Sequence, residues 1–186
     1  FACAASSRNE CAAPGAPASV GSLRLKQAEQ QRGVIYSASA SPVQDGLIWL
    51  GTDDGLIWQR RTAGTEWVNV TPPELTPWSK VTQLEASHVD ALAAYAAVNR
   101  MRIDDLKPYI YRTRDGGQSW QLITNGLPGN APVNTVREDP TRRGLLFAGT
   151  EKSVWVSFDD GDHWESLQLN LPHTSMRDLA IHDQDL

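Results

Sequence analysis

From Val34 to Ile181 the chain alternates short apolar runs with polar turns rich in glycine, proline, asparagine and aspartate. The runs come in sets. The first is G-L-I-W-L-G-T at 46–52, L-I-W at 56–58 and E-W-V-N-V at 66–70. The second is L-A-A-Y-A-A-V at 92–98, Y-I-Y-R-T at 109–113 and S-W-Q-L-I at 119–123. The third is G-L-L-F-A-G-T at 144–150, V-W-V-S at 154–157 and H-W-E-S-L at 163–167. A further short run precedes each set, at Val34–Ser37, Val81–Glu85 and Val133–Arg137, and a fourth lies at Met176–Ile181. The closing tryptophans, Trp67, Trp120 and Trp164, are 53 and 44 residues apart. This spacing predicts four short strands per unit of about 40–50 residues, the signature of a repeat architecture. The runs are nearly continuous rather than alternating, so each sheet is expected to be covered on both faces. Between the runs no amphipathic stretch is long enough for a helix.

Four-stranded units stacked face to face are β-propeller blades. The expected fold is therefore all-β, a partial β-propeller of about three blades plus the first strand of a fourth. The blades fall at about 33–71, 79–125 and 132–170, with the next starting at 175–186. A β-sandwich is the alternative, since strand spacing alone does not separate the two. Closed propellers use about four to eight blades. The reading thus expects a fragment of a larger propeller, or chains that assemble to close a ring.

Two turns sharpen the picture. Thr113–Trp120 reads T-R-D-G-G-Q-S-W and Ser157–Trp164 reads S-F-D-D-G-D-H-W. Both fit S/T-x-D-x-G-x-x-W between the third and fourth strands. The carboxylates of Asp115 and Asp159 can accept main-chain N–H groups of the turn. Gly117 and Gly161 can take positive φ, and Trp120 and Trp164 can pack beneath, with Thr113 and Ser157 opening each turn. Unit one carries a degenerate copy, R-R-T-A-G-T-E-W at 60–67, with Thr62 where the aspartate should stand.

These segments resemble the Asp-box, or BNR, repeats of sialidases, sortilin-type receptors, xyloglucan-cleaving glycoside hydrolases and photosystem assembly factors. From Gly33 to Leu186 the chain is most similar to bacterial propeller proteins labelled as glycosyl hydrolases with BNR repeats, or as sortilin-like. The stretches that carry this are G-T-D-D-G-L-I-W (51–58), D-D-L-K-P-Y-I-Y-R-T-R-D-G-G (104–117), V-R-E-D-P (136–140) and V-S-F-D-D-G-D-H-W-E-S-L-Q-L-N-L-P (156–172). The resemblance implies a long, exported protein, periplasmic or secreted, in which the Asp boxes hold turns and do not catalyse. The sequence itself leaves the compartment undetermined.

Composition adds exclusions. The chain has 186 residues and a net charge of −5, which argues against a nucleic-acid surface. No apolar run approaches the roughly 18 residues of a membrane span. Its two cysteines, Cys3 and Cys11, sit near the start, and four scattered histidines make no zinc set, so no metal or other cofactor is expected. The acidic turns at 53–54 and 159–162 lack the EF-hand pattern. Residues 1–32, rich in Ala, Ser, Pro and Gly, read as a poorly structured arm or linker without the features of a signal peptide.

The candidate ligand face follows from blade geometry. Turns between second and third strands share a face with the blade-to-blade connections, opposite the Asp boxes. In units one and three this turn is short. In unit two it is expected as a long loop, Asn99–Pro108, and an asymmetric loop on a regular scaffold is where function concentrates. It brings Arg100, Arg102, Asp104 and Asp105, followed by Tyr109. The connection 71–79 adds Trp78, outside the strand pattern, suited either to stacking on a ligand or to anchoring the loop. A self-paired charged loop is the plainer alternative to a ligand contact.

Two functional classes follow. The first is a non-catalytic propeller that binds a protein, peptide or glycan, with further blades as its intramolecular partners. The second is part of a xyloglucanase-like glycoside hydrolase whose carboxylates lie partly elsewhere. Glycosidases need two carboxyl groups about 5–9.5 Å apart across a bond. Asp104 and Asp105 are adjacent and point apart in an extended loop. Arg100, Arg102 and Tyr109 are residue types a sialidase uses, without its spacing. No catalytic residue is assigned.

Overall fold

The computed structural model describes residues 33–61, 66–167 and 169–182. The expectations for 1–32, for Thr62 and Gly64, and for 183–186 concern residues outside the described ones. Twelve strands form three four-stranded antiparallel meanders. Sheet one holds β1 (Ile35–Ala40), β2 (Ile48–Thr52), β3 (Ile57–Arg60) and β4 (Val68–Asn69). Sheet two holds β5 (Lys80–Ala86), β6 (Ala94–Arg100), β7 (Asp105–Thr113) and β8 (Gln121–Leu122). Sheet three holds β9 (Val133–Glu138), β10 (Leu146–Thr150), β11 (Val154–Ser157) and β12 (Glu165–Ser166). Each sheet is ordered as the chain runs, so neighbours pair through short turns.

Continuous apolar strands are expected between two neighbours, and β6 shows why. Ala94, Ala96 and Val98 enter a core shared with Trp49, Ile57 and Val81, between sheets one and two. The residues between them, Tyr95 and Ala97, enter a second core with Ile110, Val133, Val136 and Leu146, between sheets two and three. Side chains alternate across a strand, so both sets are buried at once. The alanines let the sheets approach closely. Gly51 and Gly149 also allow close approach: a Cβ on Gly51 would lie 2.5 Å from Val81 of sheet two, and one on Gly149 would lie 2.9 Å from Met176 O of the segment that follows sheet three.

The Asp boxes lock neighbouring sheets. In the first, Asp115 Oδ1 accepts the N–H of Ser119 and the hydroxyl of Thr113, both at 2.9 Å, while Gly117 N–H donates to Thr113 Oγ1 at 2.9 Å. Gly117 has φ 81° and lies against Val70. Trp120 Nε1 then donates to the main-chain oxygen of Val70 at 2.7 Å. The second box repeats this: Asp159 Oδ1 accepts His163 N–H at 2.9 Å, Gly161 N–H donates to Ser157 Oγ at 2.8 Å, and Trp164 Nε1 donates to Ile123 O at 2.8 Å. Each box thus satisfies the last carbonyl of the sheet before it.

Beside the boxes lies a polar seam that sequence reading did not anticipate. Arg112, 4% exposed, occupies the position where β3 has Gln59 and β11 has Val156. It donates to the main-chain oxygen of Asp160 and pairs with Asp162 at 3.1 Å. The Tyr95 hydroxyl donates to Asp160, and Glu138, 2% exposed, accepts His88 N–H at 2.6 Å.

The segment expected as the first strand of a fourth blade, Met176–Ile181, is not assigned as a strand. It nevertheless follows sheet three. Met176 N–H donates to Thr150 O at 2.9 Å, and Leu179 O accepts Arg137 Nε at 2.8 Å. It lies against Gly149 as β5 lies against Gly51. A strand ladder needs a partner strand, and the described residues supply none for it.

Candidate functional site

In every sheet the turn from second to third strand emerges at the end opposite the Asp box. At that end the connection 71–79 docks on the turn of sheet one. Trp78 N–H donates to Asp54 O at 2.9 Å, and Gly55, at φ 100°, would place a Cβ 3.1 Å from Thr76 O and Ser79 O. This fixes Trp78 in a left-handed conformation, φ 66°, with its side chain 38% exposed. For a bulky non-glycine residue that conformation costs on the order of 1–3 kcal/mol and persists only where its surroundings impose it.

The loop expected at Asn99–Pro108 is mostly strand. β6 runs to Arg100, β7 starts at Asp105, and these two residues pair directly. Only a single 3-10 turn, Met101–Ile103, and Asp104 at φ 60° separate them. The sequence reads as loop because Pro108 and a charged run interrupt the apolar pattern. Pro108 falls beside the register shift between Val98 and Arg100, so no ladder bond is lost there.

The six candidate residues divide into two groups and an outlier. Arg100, Asp105 and Tyr109 close on one another. Arg100 Nη1 donates to the Tyr109 hydroxyl at 3.0 Å, and that hydroxyl donates to Asp105 Oδ2 at 2.7 Å. Arg100 also pairs with Asp105 at 3.2 Å and donates to Thr76 Oγ1 at 2.7 Å. Burial works to raise the Asp105 carboxyl, but hydrogen bonds from Tyr109 and from Lys107 N–H, with the Arg100 charge, bring it below the usual carboxylate range. Tyr109 is raised by burial and by its bond to Asp105. This group is a clasp between the connection and the hairpin.

Arg102 and Trp78 make the second group. The Arg102 guanidinium lies 5.8 Å from the Trp78 ring centroid and touches Asp53 Oδ2 at 3.4 Å. The two side chains, each more than a third exposed, form a cation–aromatic platform. Asp104 lies on the turn at φ 60° and is exposed, whereas Asp105 is held by Arg100 and Tyr109.

Next to the platform is a cavity of about 290 Å³, lined by Tyr36, Lys80, Asn99, Arg102, Asn134, Glu151 and Arg177 among others. Only Arg102 of these was a sequence candidate. The rest come from the starts of β1, β5 and β9 and from strand-turn ends, positions that no motif marks. Among the described residues no three metal-ligating side chains gather. No helix among them is long and apolar enough to cross a membrane.

Blades of this topology, joined through Asp boxes, define the chain as a stretch of Asp-box β-propeller. No protein-family model matches it. It is 30% identical over 76 residues to vacuolar protein sorting/targeting protein 10 of Pyrenophora teres f. teres, a match that spans 41% of this chain and 5% of that protein. Its fold is similar to the GH74 xyloglucanase from Xanthomonas campestris, with TM-score 0.60, 21% identity, 72% of this chain and 20% of that one covered. It is also similar to YCF48 bound to D1 peptide, with TM-score 0.55, 19% identity, 73% of this chain and 40% of that one covered. The chain therefore spans a small part of the proteins it matches.

Proposed function

We propose that this chain is part of a non-catalytic Asp-box propeller that binds a polypeptide on the face formed by the second-to-third strand turns. The observation that carries the reading is the Trp78–Arg102 platform: an exposed tryptophan in a strained backbone conformation, capped by a guanidinium. Backbone strain of this kind gathers at binding sites. Tryptophan and arginine are also the residue types that dominate binding hot spots. The vacuolar sorting/targeting relative and the YCF48 structure bound to D1 peptide support the class.

The hydrolase reading rests on fold similarity alone. Of the adjacent carboxylates in the unit-two hairpin, Asp105 is held in an ion pair and Asp104 is exposed on the turn. The deciding experiment screens an array of peptides for binding to the chain and to Trp78→Ala, and assays xyloglucan for new reducing ends. Peptide binding that drops about tenfold or more in the variant supports the proposal. Reducing-end release without peptide binding overturns it.

A further inference from the structure

The cavity beside the platform has an electrostatic character opposite to that of the whole chain. The protein carries −5 overall, yet Lys80, Arg102 and Arg177 line the cavity against one carboxylate, Glu151. Lys80 Nζ sits 3.4 Å from the Tyr36 ring centroid, and no carboxylate pairs with it among the described residues. A ring face holds an ammonium in place without neutralising it. Arg102 meets Asp53 through one nitrogen at 3.4 Å, which leaves most of its fork open. Arg177 is exposed and pairs with no carboxylate among the described residues. Glu151 is already engaged: its Oε1 accepts Asn134 Nδ2 at 3.0 Å, and Asn134 Oδ1 accepts Asn99 Nδ2 at 3.0 Å. The floor is thus a hydrogen-bonded chain that keeps the single Glu151 charge, and three cations in the walls outnumber it.

Resting on the polypeptide-binding proposal, we infer that this cavity receives a carboxylate of the bound peptide. Its size suits one side chain or a chain end rather than a folded surface. Lys80 would supply a point charge and Arg102 a planar fork, while the Trp78 ring carries the adjoining apolar part of the peptide.

The test measures fluorescence anisotropy of three labelled hexapeptides with the whole chain. One has two central glutamates and an amidated end. Its twin has glutamines instead. The third is the glutamine twin with a free terminal carboxylate. Tighter binding of the first assigns the site to an acidic side chain, and tighter binding of the third assigns it to a chain end. Either preference should weaken about 5- to 10-fold in Lys80→Met and in Arg177→Gln, and fade as salt rises from about 0.05 to about 0.5 M. Arg177 is exposed, so its variant folds independently of the outcome. Equal binding of all three, still lost in Trp78→Ala, overturns the carboxylate inference and leaves the polypeptide reading standing. No saturable binding of any of them up to about 1 mM overturns this inference, and the array result then decides the polypeptide reading separately.

Discussion

The indole N–H of Trp164 donates to the main-chain oxygen of Ile123 at 2.8 Å, inside an environment where Trp164 is 3% exposed. One side chain thereby closes the end of sheet two from sheet three. The same geometry joins Trp120 to Val70 at the preceding junction.

Removing that donor while keeping an aromatic ring isolates the bond. Trp164→Phe should lower stability by about 1–3 kcal/mol, the cost of leaving a buried carbonyl unpaired. Trp155 is the matched control, since its indole N–H is buried without a partner. Trp155→Phe should cost less, and urea unfolding of the two variants gives the comparison.

The boxes also predict a pH dependence. Hydrogen bonds from the Ser119 hydroxyl and N–H lower Asp115 from 3.8 to about 2. The His163 N–H leads in lowering Asp159 from 3.8 to about 2. Carboxyl groups with depressed folded values stabilise the fold above the unfolded value and lose that contribution as pH falls through the folded one. Stability should therefore be whole above pH 3.8 and decline toward about 2. The double variant Asp115→Asn, Asp159→Asn should flatten this decline in denaturant titrations.

Glu138 should act in the opposite direction. Burial raises it above its ordinary 4.5, and the Ser87 hydroxyl and His88 N–H only partly offset that. A carboxyl with a raised folded value favours the protonated fold, so its contribution is present below 4.5 and is lost as pH rises through the folded value. Tyr95, Asp160 and Arg112 share its surroundings. Unfolding free energies of Glu138→Gln across about pH 4–8 should lack this loss.

Gly126 and Gly129 lie three positions apart in one connection and should respond differently. Gly126 has φ 97°, and a Cβ there would meet Trp164 O at 2.3 Å. At Gly129 nothing lies within 4 Å. Gly126→Ala should destabilise by more than about 1 kcal/mol, while Gly129→Ala should stay within about 0.5 kcal/mol. Thermal melts of both variants report the difference.

Much of the fold was legible because the repeat is written in local chemistry. The strand–turn–strand order followed from apolar runs such as L-I-W-L and from Gly and Asp at the turns. The spacing of the Asp box points to turns held by Asp115 and Asp159, while the bonds from Trp120 and Trp164 to Val70 and Ile123 of the preceding sheet emerge only from the fold. The Asn99–Pro108 segment was misread as loop, because the Arg100–Asp105 ion pair and the Tyr109 hydroxyl extend a hairpin that hydrophobicity alone would end. Trp78 was singled out for standing outside the pattern, yet its conformation depends on Asp54 and Gly55, more than twenty residues away. The cationic cavity is not legible in the sequence, since Lys80 at the start of β5, Asn134 at the start of β9 and Arg177 in the segment after sheet three meet only when the chain folds. The Tyr95–Asp160–Glu138 seam was hidden for the same reason.

The Asp box has a consequence for how such chains grow. Units two and three each carry the plug that fits the carbonyl end of the unit before, at Val70 and Ile123. A duplicated stretch of gene would therefore arrive with its joint already cut.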